Sequence, residues 1–203
     1  MERIAIVCAE KEVIELALSL PGVELVGIFD PNPNADVLMF PLLGRDEDWE
    51  EVRKRFPELK VVIALDTPNL KEKLASHYGL AALASLVAPD AFVSPTASIG
   101  AGHLVQRGAK VLARARIGVC CKINADAVVH HDCTVGDFCT LAPGSRLLGA
   151  VRLGDRVLVG AGAIVLPKVS VGSDSVIGAG AVVVQDVPPA MTVIGIPAKP
   201  LFT

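Results

Sequence analysis

The chain has 203 residues, of which 52% are hydrophobic and only 4% aromatic, and its formal net charge at pH 7 is −3. This composition excludes a basic footprint for nucleic acid, and no apolar run approaches the roughly eighteen residues that a membrane span needs. Acidic residues near the N-terminus argue against a secretory signal, and five cysteines argue against a disulfide framework. We therefore expect a cytoplasmic protein with neither nucleic-acid nor membrane partners.

Residues 1–84 alternate between strand and helix patterns. Buried apolar runs predict strands, helical spacing of apolar residues predicts helices, and the stretch PNPNAD predicts a loop. The predicted strands are 3–9, 23–29 and 60–65, and the predicted helices are 11–20, 46–55 and 69–78. This alternation indicates a small α/β domain of Rossmann-like type around a parallel sheet.

From residue 87 the pattern changes to a strict period of six. Every sixth position from Val87 to Val183 carries Val, Ile or Leu, often followed by Gly, with a small residue four places on. Such hexapeptide repeats are typical of a parallel β-helix in which each coil stacks on the last. We expect the β-helix to span 85–187 and a C-terminal tail to span 188–203.

Similarity to hexapeptide-repeat proteins implies a left-handed winding with three repeats, or eighteen residues, per coil. Residues i and i+18 then stack about 4.8 Å apart. His131 should lie between Ala113 and Gly149, whose small size leaves space around its imidazole. Asp132 should lie over Arg114 and form an ion pair with it.

The remaining histidines and the cysteines in the repeats have simpler interpretations. Cys121 and Cys139 stack at inward positions, where two small core residues are favoured over the alternative of a disulfide. Cys133 occupies an equivalent position, and His103 is predicted to be a structural histidine. Zinc needs three or four converging ligands. Because the inward cysteines and His131 face different directions, no metal site is predicted.

The C-terminal half resembles a known family through INADAVVHHDCTVGDFCTLAPG, VRLGDRVLVGAGAIVLPKVSVGSDSVIGAGAVVVQDVPP and VIGIPAKP. The family is the sugar O- and N-acyltransferases of the sialic-acid acetyltransferase type, which includes bacterial N-acetyltransferases acting on nucleotide-linked 4-amino sugars. This resemblance implies acetyl-CoA as co-substrate, a sugar or nucleotide-sugar acceptor, and a homotrimer with the site between subunits.

The resemblance also implies roles for particular residues. The family's His-Asp/Glu-Cys motif falls on His131, Asp132 and Cys133, so that His131 would be the general base and Asp132 its acidic partner. The N–H of Gly149 would stabilise the oxyanion, whereas His130 is interpreted as non-catalytic. The other implied contacts are Thr140, Ala161, Ala179 and Lys199 for coenzyme A, and Asp30 and Asn124 for the acceptor.

Three departures from the family pattern bear on the function. Thr140 stands where the family often has a histidine that contacts acetyl-CoA. The first βα turn reads CAEKE in place of a glycine-rich turn, and LDTPNLKEKL lacks the family's Gly and Arg after the third strand. The leading hypothesis is an acetyl-CoA-dependent transferase acting on an amino or hydroxyl group of a sugar or nucleotide-linked sugar. The alternatives are a non-catalytic trimeric scaffold and an acyltransferase with a non-nucleotide acceptor.

Overall fold

The computed structural model describes residues 1–35 and 37–201. The last residue of the predicted PNPNAD loop and the last two residues of the predicted tail lie outside this range. The N-terminal part contains four strands and three α-helices, with 3-10 turns at Asp46–Asp48 and Leu80–Ala82. These elements are β1 Glu2–Val7, α1 Lys11–Leu18, β2 Val23–Phe29, β3 Leu42–Gly44, α2 Trp49–Arg55, β4 Lys60–Ile63 and α3 Pro68–Tyr78.

The four strands form one parallel sheet in the order β3-β2-β1-β4. The predicted strands and helices are therefore present, whereas β3, within MFPLLG, was not predicted because three residues carry too little periodicity. Helix α1 ends at Leu18, two residues early, where the Ser19 hydroxyl donates to the Leu16 carbonyl at 2.7 Å. The predicted helix 46–55 begins as a 3-10 turn because the Asp48 carboxylate accepts the Arg45 N–H at 2.8 Å.

The few aromatic residues concentrate in this part of the chain. Trp49 packs edge to face against both Phe29 and Tyr78, the Phe29 and Tyr78 rings are tilted, and the ring centroids are 5.2–6.0 Å apart. The Tyr78 hydroxyl donates to Asp46 at 2.6 Å, which attaches α3 to the start of the α2 region. This cluster fills one side of the sheet, and aliphatic residues from β1, α1 and the first coils of the repeats fill the other.

The repeats form a three-sided prism of two-residue parallel strands. The strands are β5 Leu86–Val87, β6 Phe92–Val93, β7 Ser98–Ile99, β8 Leu104–Val105, β9 Lys110–Val111, β10 Arg116–Ile117, β11 Lys122–Ile123, β12 Val128–Val129, β13 Thr134–Val135, β14 Thr140–Leu141, β15 Arg146–Leu147, β16 Arg152–Leu153, β17 Leu158–Val159, β18 Ile164–Val165, β19 Ser170–Val171, β20 Val176–Ile177, β21 Val182–Val183, β22 Thr192–Ile194 and β23 Lys199–Pro200.

These strands are divided among three faces. The first face consists of β5, β8, β11, β14, β17, β20 and β22, with β23 antiparallel at its end. The second face consists of β6, β9, β12, β15, β18 and β21, and the third consists of β7, β10, β13, β16 and β19.

The register confirms the period of eighteen, since each strand from β5 to β18 pairs with the strand eighteen residues on, as Ile123 does with Leu141. At the end of the first face, β20 pairs with β22 at a spacing of sixteen. From Val105 to Val183 every leading aliphatic is at most 6% exposed, and the earlier ones are partly buried at the start of the prism. Fourteen successive corners from Gly102 to Gly180 place one residue at positive φ. Only five of these residues are glycine, so the repeat holds the left-handed conformation even where a side chain disfavours it.

The two parts share a core. Leu86, Ala88 and Leu104 of the first coils pack with Ile4 and Ile6 of β1. Within the predicted tail, β22 pairs in parallel with β20 as a further rung of the first face, and β23 folds back on it. Much of the segment predicted as a tail is therefore continuous with the prism.

Candidate active site

His131 lies on the corner between the second and third faces, which we call the second edge. Its Nδ1 lies 2.7 Å from Oδ2 of Asp132. Asp132 in turn accepts two bonds from Arg114, at 2.6 Å from Nε and 2.9 Å from Nη2, which confirms the predicted pairing along the stack. The Arg114 guanidinium, and after it His131, hold the pKa of Asp132 well below its ordinary value of 3.8, so the carboxylate stays ionised at neutral pH.

Gly149 lies one coil above His131, as the spacing predicts. A Cβ built on Gly149 would lie 2.8 Å from Cε1 and 2.9 Å from Nε2 of the imidazole, so any larger residue would displace the ring from this position. The Gly149 N–H has no hydrogen-bond partner among residues 1–35 and 37–201. The His131 side chain is 59% exposed, and its Nε2 is therefore open to a substrate.

The other cysteines and histidines behave as structural residues. Cys121, Cys133 and Cys139 are at most 1% exposed, all are free thiols, and each donates to a carbonyl of the next coil. The His103 Nδ1 lies 2.7 Å from the Gly100 carbonyl oxygen, and burial lowers its pKa. Burial, and then the neighbouring His131, lower the pKa of His130.

A second feature lies on the corner between the first and second faces, which we call the first edge. Here α1, the end of β4 and the prism enclose a cavity of about 280 Å³. We call it the edge cavity. Its lining residues are Glu10, Glu12, Asp66, Gln106, Lys122, Asn124, Ala125 and Pro143.

Lys122 and Asn124 attach the N-terminal part to the prism at this cavity. The Lys122 amine, only 3% exposed, donates to the Ala64 carbonyl at 2.7 Å and pairs with Asp66 at 3.1 Å and with Glu10 at 3.2 Å. The Asn124 amide donates to Asp66 at 3.0 Å. The predicted acceptor residue Asn124 is therefore part of the cavity wall, with its amide nitrogen held by the N-terminal part.

Sequence reasoning missed Gln106, which lies one coil below Asn124 on the same edge. It is 6% exposed, and its side-chain amide has no hydrogen-bond partner in the described part of the chain. The signal was present in the sequence: Gln106 and Asn124 are eighteen apart, at a position where the next three coils carry Ala142, Gly160 and Gly178.

The structure does not place Thr140 where a ligand could reach it. Thr140 is 0% exposed because α3 covers it. Its hydroxyl accepts from the buried Lys71 amine at 2.7 Å and donates to the Asp66 carbonyl at 2.7 Å, while Lys71 also donates to the Cys139 carbonyl at 2.8 Å. The expected coenzyme A contact of Thr140 is therefore wrong for this structure, and burial lowers the pKa of Lys71.

Ala161 and Ala179 lie above the edge cavity in the column of Ala125 and Pro143. Both are exposed, and their N–H groups have no partner within the described residues. We use the name groove for this outward column of Ala125, Pro143, Ala161 and Ala179 above the cavity, where Gly160 and Gly178 precede the two upper alanines.

The remaining two predicted contacts, Lys199 and Asp30, do not line the edge cavity. Lys199 lies on β23 at the last rung and is exposed. Asp30, at the end of β2, uses one carboxylate oxygen to accept the Ala9 N–H at 2.8 Å and the other to accept the Asn32 N–H at 2.9 Å. Both oxygens of Asp30 thus have backbone partners within the chain.

One chain does not bring the predicted site residues together. His131, Asp132 and Gly149 occupy the second edge, whereas Asn124 and Ala161 occupy the first. Six residues separate Ala125 from His131 across β12, a span of up to about 20 Å at roughly 3.3 Å per residue. His131, on the second edge, and the groove, on the first edge, therefore lie at opposite sides of the second face.

Within residues 1–35 and 37–201, no cluster of three or more His, Cys, Asp or Glu side chains is arranged to hold a metal ion. In the same residues, no helix has both the length and the apolar character required to cross a membrane.

Comparison with known proteins places the chain in a family. Residues 150–185 match the model of the bacterial transferase hexapeptide (six repeats). A mutant of GDP-perosamine N-acetyltransferase from Caulobacter crescentus, in complex with CoA and GDP-perosamine, is 34% identical, with 98% of this chain and 97% of that one covered at a TM-score of 0.89. The acetyltransferase domain of PglB from Neisseria gonorrhoeae, in complex with acetyl coenzyme A, is 33% identical, with 98% and 99% covered at 0.89.

WeeI from Acinetobacter baumannii is 26% identical, with 98% and 99% of the chains covered at a TM-score of 0.86. The search of curated proteins gave no significant match. The repeat and the parallel sheets fit a left-handed β-helix, in agreement with the sequence. The chain is an acyltransferase of the hexapeptide-repeat class and belongs to the family of sugar acyltransferases that its sequence resembles.

Proposed function

We propose that this protein transfers an acetyl group from acetyl-CoA to an amino or hydroxyl group of a sugar or nucleotide-linked sugar, with His131 as the general base. The observation that carries the proposal is the row of Arg114, Asp132 and His131, with Gly149 above the ring. Two similar proteins, named as acetyltransferases, were crystallised with CoA or acetyl coenzyme A, which supports the same co-substrate here.

The geometry supports a specific protonation of His131. A carboxylate only accepts hydrogen bonds, so Nδ1–H donates to Asp132 and the lone pair of Nε2 remains free to take a proton. The acceptor's nitrogen or oxygen attacks the thioester carbonyl while Nε2 removes its proton. The C–S bond then breaks, and the coenzyme A sulfur leaves with the proton returned by the imidazolium. The unpartnered N–H of Gly149 is available to the oxyanion.

We assign the coenzyme A site to the groove on the first edge. The free N–H groups of Ala161 and Ala179 are donors for the amide-containing arm of coenzyme A. Lys199, exposed at the last rung, would meet phosphate charge at the upper end of the groove. The thioester would then lie at the foot of the groove, beside the edge cavity.

We further propose a homotrimer with shared sites. Since His131 and the groove occupy different edges, a complete site needs the groove of one copy and His131 of another. In this arrangement residues 1–84 are a Rossmann-like acceptor domain, residues 85–187 are the catalytic prism, and 188–203 are the C-terminal tail, in which β22 adds the last rung.

Two experiments test these proposals. Thiol release from acetyl-CoA, measured with a panel of amino sugars, should depend on the acceptor, and no release with any acceptor would favour a non-catalytic scaffold. Co-expressing two inactive variants, His131→Ala and Ala161→Trp, should restore activity because mixed trimers contain some intact shared sites. Failure of the mixture, with mass measurements showing that mixed trimers form, would contradict the shared site.

A further inference from the structure

The edge cavity contains a buried polar side chain that the protein itself does not satisfy. Gln106 lines the cavity at 6% exposure, and its amide has no partner among the described residues. Within the described residues the Gln106 amide is not among the fully buried side-chain atoms that lack a partner, so it faces the cavity, where a ligand can pair with it. Asn124 lies one coil above, and the two amides together form a short polar ladder on the prism wall.

The charges around this ladder are mostly negative. Glu10, Glu12 and Asp66 contribute three carboxylates, against the single amine of Lys122, which already pairs with Glu10 and Asp66. The cavity therefore carries an excess of negative charge. Such a lining attracts a cation or hydroxyl donors and repels a phosphoryl group.

The turn that receives a phosphate in nucleotide-binding α/β folds already has one of its N–H groups occupied by a carboxylate here. In those folds, backbone N–H groups at the start of the first helix hold the phosphate. In this chain the Ala9 N–H is taken by the Asp30 carboxylate at 2.8 Å, and Glu10 follows at the start of α1. These carboxylates also affect Cys8. Burial, followed by the negative charges of Asp30 and Glu10, raises the pKa of its thiol to about 11.

We propose, building on the proposed function, that the edge cavity is the acceptor site and takes a small polyhydroxylated amine that carries no phosphoryl group. The cavity, about 280 Å³, lies at the small end of ligand sites, which run to roughly 300–1,000 Å³. Gln106 and Asn124 bind hydroxyl groups, and the carboxylates attract the ammonium form of the amine. The bound ammonium first loses one proton to solvent, and the neutral amine attacks the thioester carbonyl while His131 of a second copy takes its next proton. The C–S bond then breaks, the coenzyme A sulfur takes that proton, and the net products are the amide, the thiol and one proton.

The direct test compares matched acceptors. Thiol release is measured with a free amino sugar and with the same amino sugar linked to a nucleoside diphosphate, and nucleoside diphosphate alone is added as a competitor. The proposal predicts a kcat/KM at least about tenfold higher for the free amine, corresponding to about 1.4 kcal/mol, and no competition by the nucleotide.

Two outcomes overturn the proposal in distinguishable ways. Preference for the nucleotide-linked sugar contradicts this inference and leaves the proposed function intact. No transfer to either acceptor, with acetyl-CoA still bound in a calorimetric measurement, contradicts the proposed function and this inference with it.

Variants of the cavity wall locate the site. Gln106→Leu should raise the acceptor KM about tenfold, the value of one lost hydrogen bond, and leave the acetyl-CoA KM and the Tm unchanged. Glu12→Gln should weaken the free amine in the same way, whereas Glu15→Gln, on the exposed side of the same helix, should have no effect. An acceptor KM unchanged by both cavity variants would show that the acceptor binds elsewhere.

Discussion

Gly149 lies against the imidazole of His131, so that a Cβ on Gly149 would come within 2.9 Å of Nε2, the atom proposed to accept the proton. This contact ties the backbone of one coil to the side chain of the coil below. The predicted oxyanion donor, the Gly149 N–H, and the predicted base, His131, are therefore neighbours in the same column.

Gly149→Ala should therefore lower kcat without unfolding the protein. The added methyl group displaces an exposed ring, which moves at little cost to stability, but proton transfer depends on the position of that ring. We expect a loss of about tenfold to a hundredfold in kcat and a Tm close to that of the wild type. Unchanged kcat would contradict the placement of the reaction above His131.

His131→Asn should remove most of the transfer activity. General-base catalysis contributes roughly 10²–10⁴-fold, and asparagine fills similar space without a basic nitrogen. Acetyl-CoA binding, measured by calorimetry, should be retained because the proposed groove lies on the other edge. His130→Asn is the matched control, and a loss of activity there in place of His131 would reverse the assignment.

Asp132→Asn should weaken His131 as a base. The variant lacks the carboxylate that accepts the Nδ1–H and holds the ring with Nε2 free, so kcat should fall. Arg114→Met should have a smaller effect, since it removes the charge that depresses the Asp132 pKa but leaves the carboxylate beside His131. A kcat of Asp132→Asn equal to that of the wild type would exclude this partnership.

Lys71→Ala should destabilise the fold by about 2–4 kcal/mol, because it leaves a cavity and removes the donor to Thr140 and to the Cys139 carbonyl. Lys71→Met retains the apolar stem and should cost less. Lys73→Ala, on the exposed side of the same helix, should change stability by no more than about 0.5 kcal/mol. Denaturant unfolding measures all three, and equal effects of Lys71→Ala and Lys73→Ala would contradict a structural role for Lys71.

His103 should make stability depend on pH below neutrality. Burial lowers its folded-state pKa below the ordinary value of 6.5, so the unfolded chain binds more protons in that range. The free energy of unfolding should fall as the pH drops below 6.5 toward the folded pKa, and His103 should have no such effect at higher pH. His103→Gln should flatten this part of the curve, and an unchanged pH dependence would show that His103 titrates alike in both states.

The prism and the second edge could be predicted from the sequence because both follow from the spacing of residues along the chain. A period of six fixes which residues point inward, and a period of eighteen fixes which residues stack, so the contacts of His131 with Gly149 and of Asp132 with Arg114 could be stated in advance. The same arithmetic places Gln106 below Asn124, although its importance becomes visible only when the cavity beside it is seen.

Contacts between the two parts could not be predicted in this way. The resemblance implied a coenzyme A contact for Thr140, whereas α3 covers its side chain and Lys71 donates to its hydroxyl. No pattern within residues 1–84 reveals which face of the prism that helix will cover, because the docking depends on long-range packing of Leu86 and Leu104 against the sheet. Asp66 and Lys122 were missed for the same reason.

Because each coil of the prism contains eighteen residues, the effect of an insertion or deletion depends on its length. Removing eighteen residues from the repeats shortens the stack by one coil and leaves every later residue on its own edge. Removing six moves every later residue to the next edge, so that a histidine at the position of His131 would exchange its edge for that of Asn124. Length changes in this protein are therefore tolerable in whole coils, and a single lost hexapeptide would reassign the entire surface while leaving the interior unchanged.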